Sequence, residues 1–130
     1  MIYKTSELIG AKLDAAVAMA EGLESTIAPY RVSDGYSGIT FVRDEPVCIA
    51  SGDHFEPSVS WRYGGPIIER KHIAVMLDDP SGKNWCAIVG AWMCHDLVAD
   101  GRFDSGPTPL IASMRALVRS ELGDEVEIPE

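Results

Sequence analysis

Ile73-Ala74-Val75-Met76-Leu77-Asp78-Asp79-Pro80-Ser81-Gly82-Lys83-Asn84-Trp85-Cys86-Ala87-Ile88-Val89 is the stretch whose reading decides the fold class. Two apolar runs of β-forming residues flank a segment dense in Asp, Pro, Ser, Gly and Asn, residues that fix φ, tolerate the left-handed region or hydrogen-bond their own backbone. An antiparallel hairpin is the economical reading. Downstream, Asp100-Gly101-Arg102-Phe103-Asp104-Ser105-Gly106 reads as a loop that ends at Thr108-Pro109, an N-cap followed by proline at the first helical position. Leu110, Ile111, Met114, Leu117, Val118 and Leu122 then form one apolar helical stripe, Gly123 ends it, and Arg115 and Arg119 take the opposite side.

Upstream, the pattern predicts a first long helix starting at Thr5 as N-cap, with Glu7 in the first turn where its charge complements the helix dipole. Leu13, Ala16, Val17, Ala20 and Leu23 give its buried face and Gly22 its stop. Residues 29–65 change character: Gly, Pro, Ser and Asp are frequent, and the only β-like runs are Gly38-Ile39-Thr40-Phe41-Val42 and Val47-Cys48-Ile49-Ala50. A loop-rich middle is expected, followed by a tight turn at Gly64-Gly65 and a helix of two turns at most that starts with Pro66. The fold class is therefore α+β, with two long helices packed on one face of a small, mostly antiparallel sheet.

The chain has 130 residues, 46% of them hydrophobic and 24% charged, which fits one folded domain over residues 1–130. Eleven basic against 20 acidic side chains give a net charge of −9, the wrong sign for coating a phosphate backbone. Nucleic acid is thus disfavoured as a partner. Glu121, Asp124, Glu125, Glu127 and Glu130 concentrate acid at one end, so the body is expected to close at residue 123 and residues 124–130 to form a mobile acidic tail that aids solubility. The longest charge-free apolar run, residues 84–94, is too short for the ~18 residues of a membrane span, and Glu7, Lys12 and Asp14 interrupt any leader-like segment. A cytoplasmic protein without a membrane partner is expected, with Cys48, Cys86 and Cys94 reduced.

Several runs taken together resemble the NinX-like family of phage and prophage proteins. They are Thr5-Ser6-Glu7-Leu8 leading into Leu13-Asp14 and Ala16-Val17-Ala18, then Pro57-Ser58, Trp61 and Gly64-Gly65-Pro66-Ile67-Ile68-Glu69, and finally Gly106-Pro107-Thr108-Pro109-Leu110-Ile111-Ala112, Met114-Arg115 and Gly123-Asp124-Glu125-Val126. The resemblance implies a setting in phage infection and carries no assigned activity, catalytic residue or cofactor. Where members often have tryptophan between the Leu-Asp and Ala-Val pairs, this chain has Ala15.

The best candidate site lies at Trp61-Arg62-Tyr63-Gly64-Gly65-Pro66, with Glu69 and Arg70 just beyond. Backbone N–H groups of a Gly-Gly turn at a helix start would face an anion together, Arg62 would supply a planar fork of donors, and Trp61 or Tyr63 a stacking surface. The plainer reading makes Gly64-Gly65 a turn and Trp61 a core residue. Cys86, Cys94 and His95 with Cys48 or His54 lack the spacing of a zinc site, and Cys94-His95-Asp96 places neighbouring side chains that rarely face one another. Asp44-Glu45 and Asp78-Asp79 fit turns better than paired catalytic carboxylates. No phosphate-loop, dinucleotide or nucleophile-elbow sequence occurs, so no cofactor is expected. Two functional readings remain: a non-enzymatic module that binds a host or phage protein, as monomer or homodimer, and a domain that binds a small anionic ligand or nucleotide at residues 61–66.

Overall fold

In a computed structural model the described backbone covers residues 1–33, 40–90 and 103–129, with side chains over 1–29, 45–90 and 103–129. The α+β class holds: the described residues form three helices and three small antiparallel sheets. Helix α3, Pro109–Leu122, is the hub, touching both other helices, all three strands of the sheet formed by residues 73–77, 85–89 and 103–106, and the strand at residues 125–127. Its start follows the local sequence, because Thr108 Oγ1 accepts the Ile111 N–H at 3.1 Å ahead of Pro109. Thr108→Ala should therefore lower the unfolding free energy by ~1 kcal/mol in a urea titration. Leu110, Ile111, Met114, Leu117 and Val118 are buried as the stripe requires. The far side is tethered to the chain: Arg115 donates to the carbonyls of Leu8 and Ser105 at 2.8 and 3.0 Å, and Arg119 pairs with Asp104 at 3.1 Å and with Asp124.

Strands β5, Ile73–Leu77, and β6, Trp85–Val89, make the expected hairpin, in register from Ile73 opposite Val89 to Leu77 opposite Trp85. The turn uses its acids structurally. Asp79 Oδ1 accepts from Ser81 Oγ at 2.7 Å and from the Gly82 N–H at 3.1 Å, while Asp78 accepts from Asn84 Nδ2 at 2.8 Å. The loop expected over 100–106 is corrected at its end, because Phe103–Gly106 forms strand β7 against β6. Its polar residues conceal it: Asp104 faces inward to meet Arg119, and Gly106 is pressed so close to α3 that a Cβ would lie 2.9 Å from the Ala112 nitrogen.

The first helix also starts later than Thr5. Ile2–Lys4 is strand β1, Thr5–Glu7 a single 3-10 turn, and α1 runs Gly10–Ala20. Thr5 is fully buried and its hydroxyl donates to the Gly123 carbonyl at 2.6 Å, a long-range bond that takes the place of a cap. Helix α1 is buried on nearly every side from Leu13 to Ala18, as a helix enclosed by neighbours must be. Gly22 stops it as expected: at φ +74 its N–H bonds to the Met19 carbonyl while Leu23 reaches back to Ala18 at 2.8 Å.

The loop-rich middle is replaced by a long hairpin. Strand β2, Ser25–Ser33, pairs antiparallel with β3, Thr40–Ala50, and β4, Asp53–His54, adds to β3. Pro29 stands opposite Pro46 beside a register shift, so the residues that read as loop formers sit where the ladder is already interrupted. The short helix is corrected too: α2 runs Trp61–Lys71 with Pro66 inside it, and His72 at φ +54 closes it. The mobile tail is the last correction. Glu125–Glu127 forms strand β8 against β1, with Val126 and Ile128 4% and 1% exposed. Acids alternate with these two apolar residues, so the carboxylates face outward and the apolar side chains close the core. Among the described residues no helix is long and apolar enough to cross a membrane.

Candidate functional site

Helix α2 carries five groove-facing residues, Arg62, Tyr63, Pro66, Ile67 and Arg70, at positions that share one side of a 3.6-residue helix. The opposite wall comes from the end of α1, Glu21 and Leu23, and from Phe55 after β4. Together they enclose an open groove of about 420 Å³. Phe55 and Tyr63 meet edge to face with centroids 6.0 Å apart, and the Arg62 guanidinium lies 5.5 Å from the centre of the Tyr63 ring. Arg70 Nη2 donates to Glu21 Oε1 at 2.7 Å, which fixes both side chains at the far end.

Of the residues singled out from the sequence, Arg62, Tyr63 and Arg70 therefore come together in one groove. Trp61 stands 59% exposed at the helix start, not in the core, and Glu69 lies outside the groove. The Gly64-Gly65 turn is corrected. Both glycines are inside α2, and the Gly64 N–H is spent on the Ser60 carbonyl at 2.8 Å. These amides consequently form no outward-facing anion cradle. Gly64 has another purpose, since it lets α2 press against the Pro57 backbone and Leu110. Glu21 and Leu23 escaped the sequence reading because nothing local to them signals proximity to residues some 40 positions away, and Phe55, in the segment before α2, carries no helical or strand pattern that would aim it at the groove.

A second, larger groove of about 1200 Å³ opens on the other side of Leu23. Ala15 and Met19 of α1 form one wall, Ile27 of β2 and Ile49 of β3 another, and Ile128 closes one end. Met19 and Leu23 are 40% and 38% exposed there, unusual for large apolar side chains that line the same concavity.

The third chemical feature is internal. Asp14 on α1 is almost fully buried, and its Oδ1 accepts the Ser58 N–H at 2.8 Å. Burial pushes this carboxyl up from 3.8 to about 7, the Ser58 bonding works against that rise, and the nearby Glu56 charge adds to it. Ser58 Oγ, beside it, has no hydrogen-bond partner among the described residues. Burial also pushes up the Cys48 and Cys86 thiols, which keeps them protonated and poorly nucleophilic. Cys94, His95 and Asp96 lie outside the described residues, as does the Asp44 side chain. Among the described residues no three His, Cys, Asp or Glu side chains are grouped to hold a metal ion.

A family model described as Bacteriophage P22, NinX matches residues 4–121, which includes α1, the β2–β3 hairpin, the α2 groove and nearly all of α3. No curated protein matches the chain.

Proposed function

The chain belongs to the bacteriophage P22 NinX family, and we propose that it serves the phage by binding a protein, with the larger groove as its docking surface. One observation carries this reading: half-exposed Met19 and Leu23 overhang a groove whose apolar lining continues through Ala15, Ile27, Ile49 and Ile128, with Lys12, Glu24, Ser25, Thr26 and Ser51 also along it. Contiguous apolar surface inside a concavity is where a partner's side chains gain most by leaving water. A volume of about 1200 Å³ suits a stretch of polypeptide better than a small metabolite.

Charge narrows the partner. The groove itself balances Lys12 against Glu24, but the net charge of −9 repels acidic chains and a second copy of this one, and favours a host or phage segment in which apolar side chains are flanked by Lys or Arg. The experiment is affinity capture from nuclease-treated host lysate and from infected cells, repeated with Met19→Asp. One protein at matching stoichiometry, with affinity about tenfold weaker or worse for Met19→Asp, is the expected result, because a charge would then be buried at the contact. A partner held equally by the variant would move the interface elsewhere, and the lack of any stoichiometric partner would remove the reading.

A further inference from the structure

We propose that the smaller groove along α2 is a nucleotide site, with Arg62 at the phosphate, the Tyr63 and Phe55 rings against the base, and Glu21 reading N–H donors on the base edge. The groove's volume of about 420 Å³ falls in the range of small-ligand sites. Its chemistry is laid out in order along the helix. Arg62 and Arg70 are eight residues apart, ~12 Å of helix rise, a span comparable with a mononucleotide.

Each end has a distinct role. No carboxylate among the described residues pairs with Arg62, and its guanidinium lies 5.5 Å from the centre of the Tyr63 ring, so its fork of donors is available to a phosphate. Arg70 is committed to Glu21 Oε1, which leaves Oε2 as an acceptor at the other end. A carboxylate only accepts hydrogen bonds, so the base edge facing it must donate. Guanine offers two adjacent donors, N1–H and the 2-amino group, whereas adenine sets an acceptor beside its amino group. Between these ends the Phe55 and Tyr63 rings, inclined at 67° to each other, supply apolar ring surface for any purine. The same Glu21, with the overall charge of −9, opposes a long polyanion and favours a single nucleotide.

Calorimetric titration with 5′-GMP, set beside AMP and inorganic phosphate, tests this directly. GMP should bind one to one and more tightly than either, and Arg62→Ala should weaken it about tenfold or more, the effect of losing a charged hydrogen-bond pair. Glu21→Gln should erase the preference for GMP over AMP. Circular dichroism should be unchanged for both variants, since Arg62 is exposed and Glu21 lies at a helix end. Met19→Asp, in the neighbouring groove, should leave GMP binding intact, so this site and the protein-docking reading fail separately. Absence of heat at millimolar GMP, phosphate binding as tightly as GMP, or unchanged affinity in Arg62→Ala would each overturn the site. Equal affinity for AMP and GMP would overturn the role given to Glu21.

Discussion

Replacing Gly64 by alanine is expected to destabilise the fold by on the order of 3 kcal/mol, far more than the same change at the adjacent Gly65. A Cβ at Gly64 would stand 2.5 Å from Leu110 Cδ2 and 2.6 Å from the Pro57 carbonyl oxygen. Leu110 is buried at the start of α3 and the Pro57 oxygen belongs to the backbone, so α2 itself would have to withdraw. At Gly65 no residue beyond its chain neighbours lies within 4 Å of the same atom, so the alanine meets only the ring of Pro66, a local crowding that the reduced freedom of the unfolded chain offsets in part. Urea unfolding followed by tryptophan fluorescence resolves the two magnitudes in one series. Equal effects at the two positions would show that α2 is not held against Pro57 as described.

Asp14 should make the protein lose stability as pH rises through the neutral range, and Asp14→Asn should abolish that loss. The folded carboxyl keeps its proton up to about pH 7, whereas the unfolded one releases it near 3.8. Between those values the folded form binds the extra proton, so stability is highest below pH 4, falls as pH rises toward 7, and stays low above it. A gap of about 3 pH units corresponds to an upper limit on the order of 4 kcal/mol. Asparagine can still accept the Ser58 N–H through its own oxygen, and its amide can donate to Ser58 Oγ, the buried hydroxyl without a partner. The variant should therefore be the more stable protein at pH 8 and nearly level with the parent at pH 4. An unchanged pH profile would refute the assignment.

The parts of the fold legible in the sequence are those with local causes. Thr108, Pro109 and Gly123 bound α3 through hydrogen bonds and dihedral angles set within a few residues, and Asp79 and Gly82 do the same for the β5–β6 turn. Strands β1 and β8 could not be found that way, since each is three residues long and stable only against the other. Val126 and Ile128 do alternate with acids, a period-2 signal, but five carboxylates in ten residues outweighed it. The β2–β3 hairpin was hidden by Pro29 and Pro46, whose cost falls at a single irregularity. At the site, the cation and ring pattern at Arg62, Tyr63 and Arg70 was readable, but its supposed cause was not. Gly-Gly-Pro resembles a turn because sequence reveals a glycine's freedom and not the backbone of Pro57 lying against it.

The pairing of β1 with β8 also governs the order in which the molecule can be completed. Tyr3 lies opposite Val126, and Thr5 is bonded to Gly123 and Asp124. On a translating ribosome, residues 2–5 are made more than a hundred residues ahead of the residues they pair with. Helix α3, which packs against α1, α2 and the sheet of β5, β6 and β7, is equally late. The hairpins are thus made before the helix they pack against, and the core can be completed only once residues 109–128 are available.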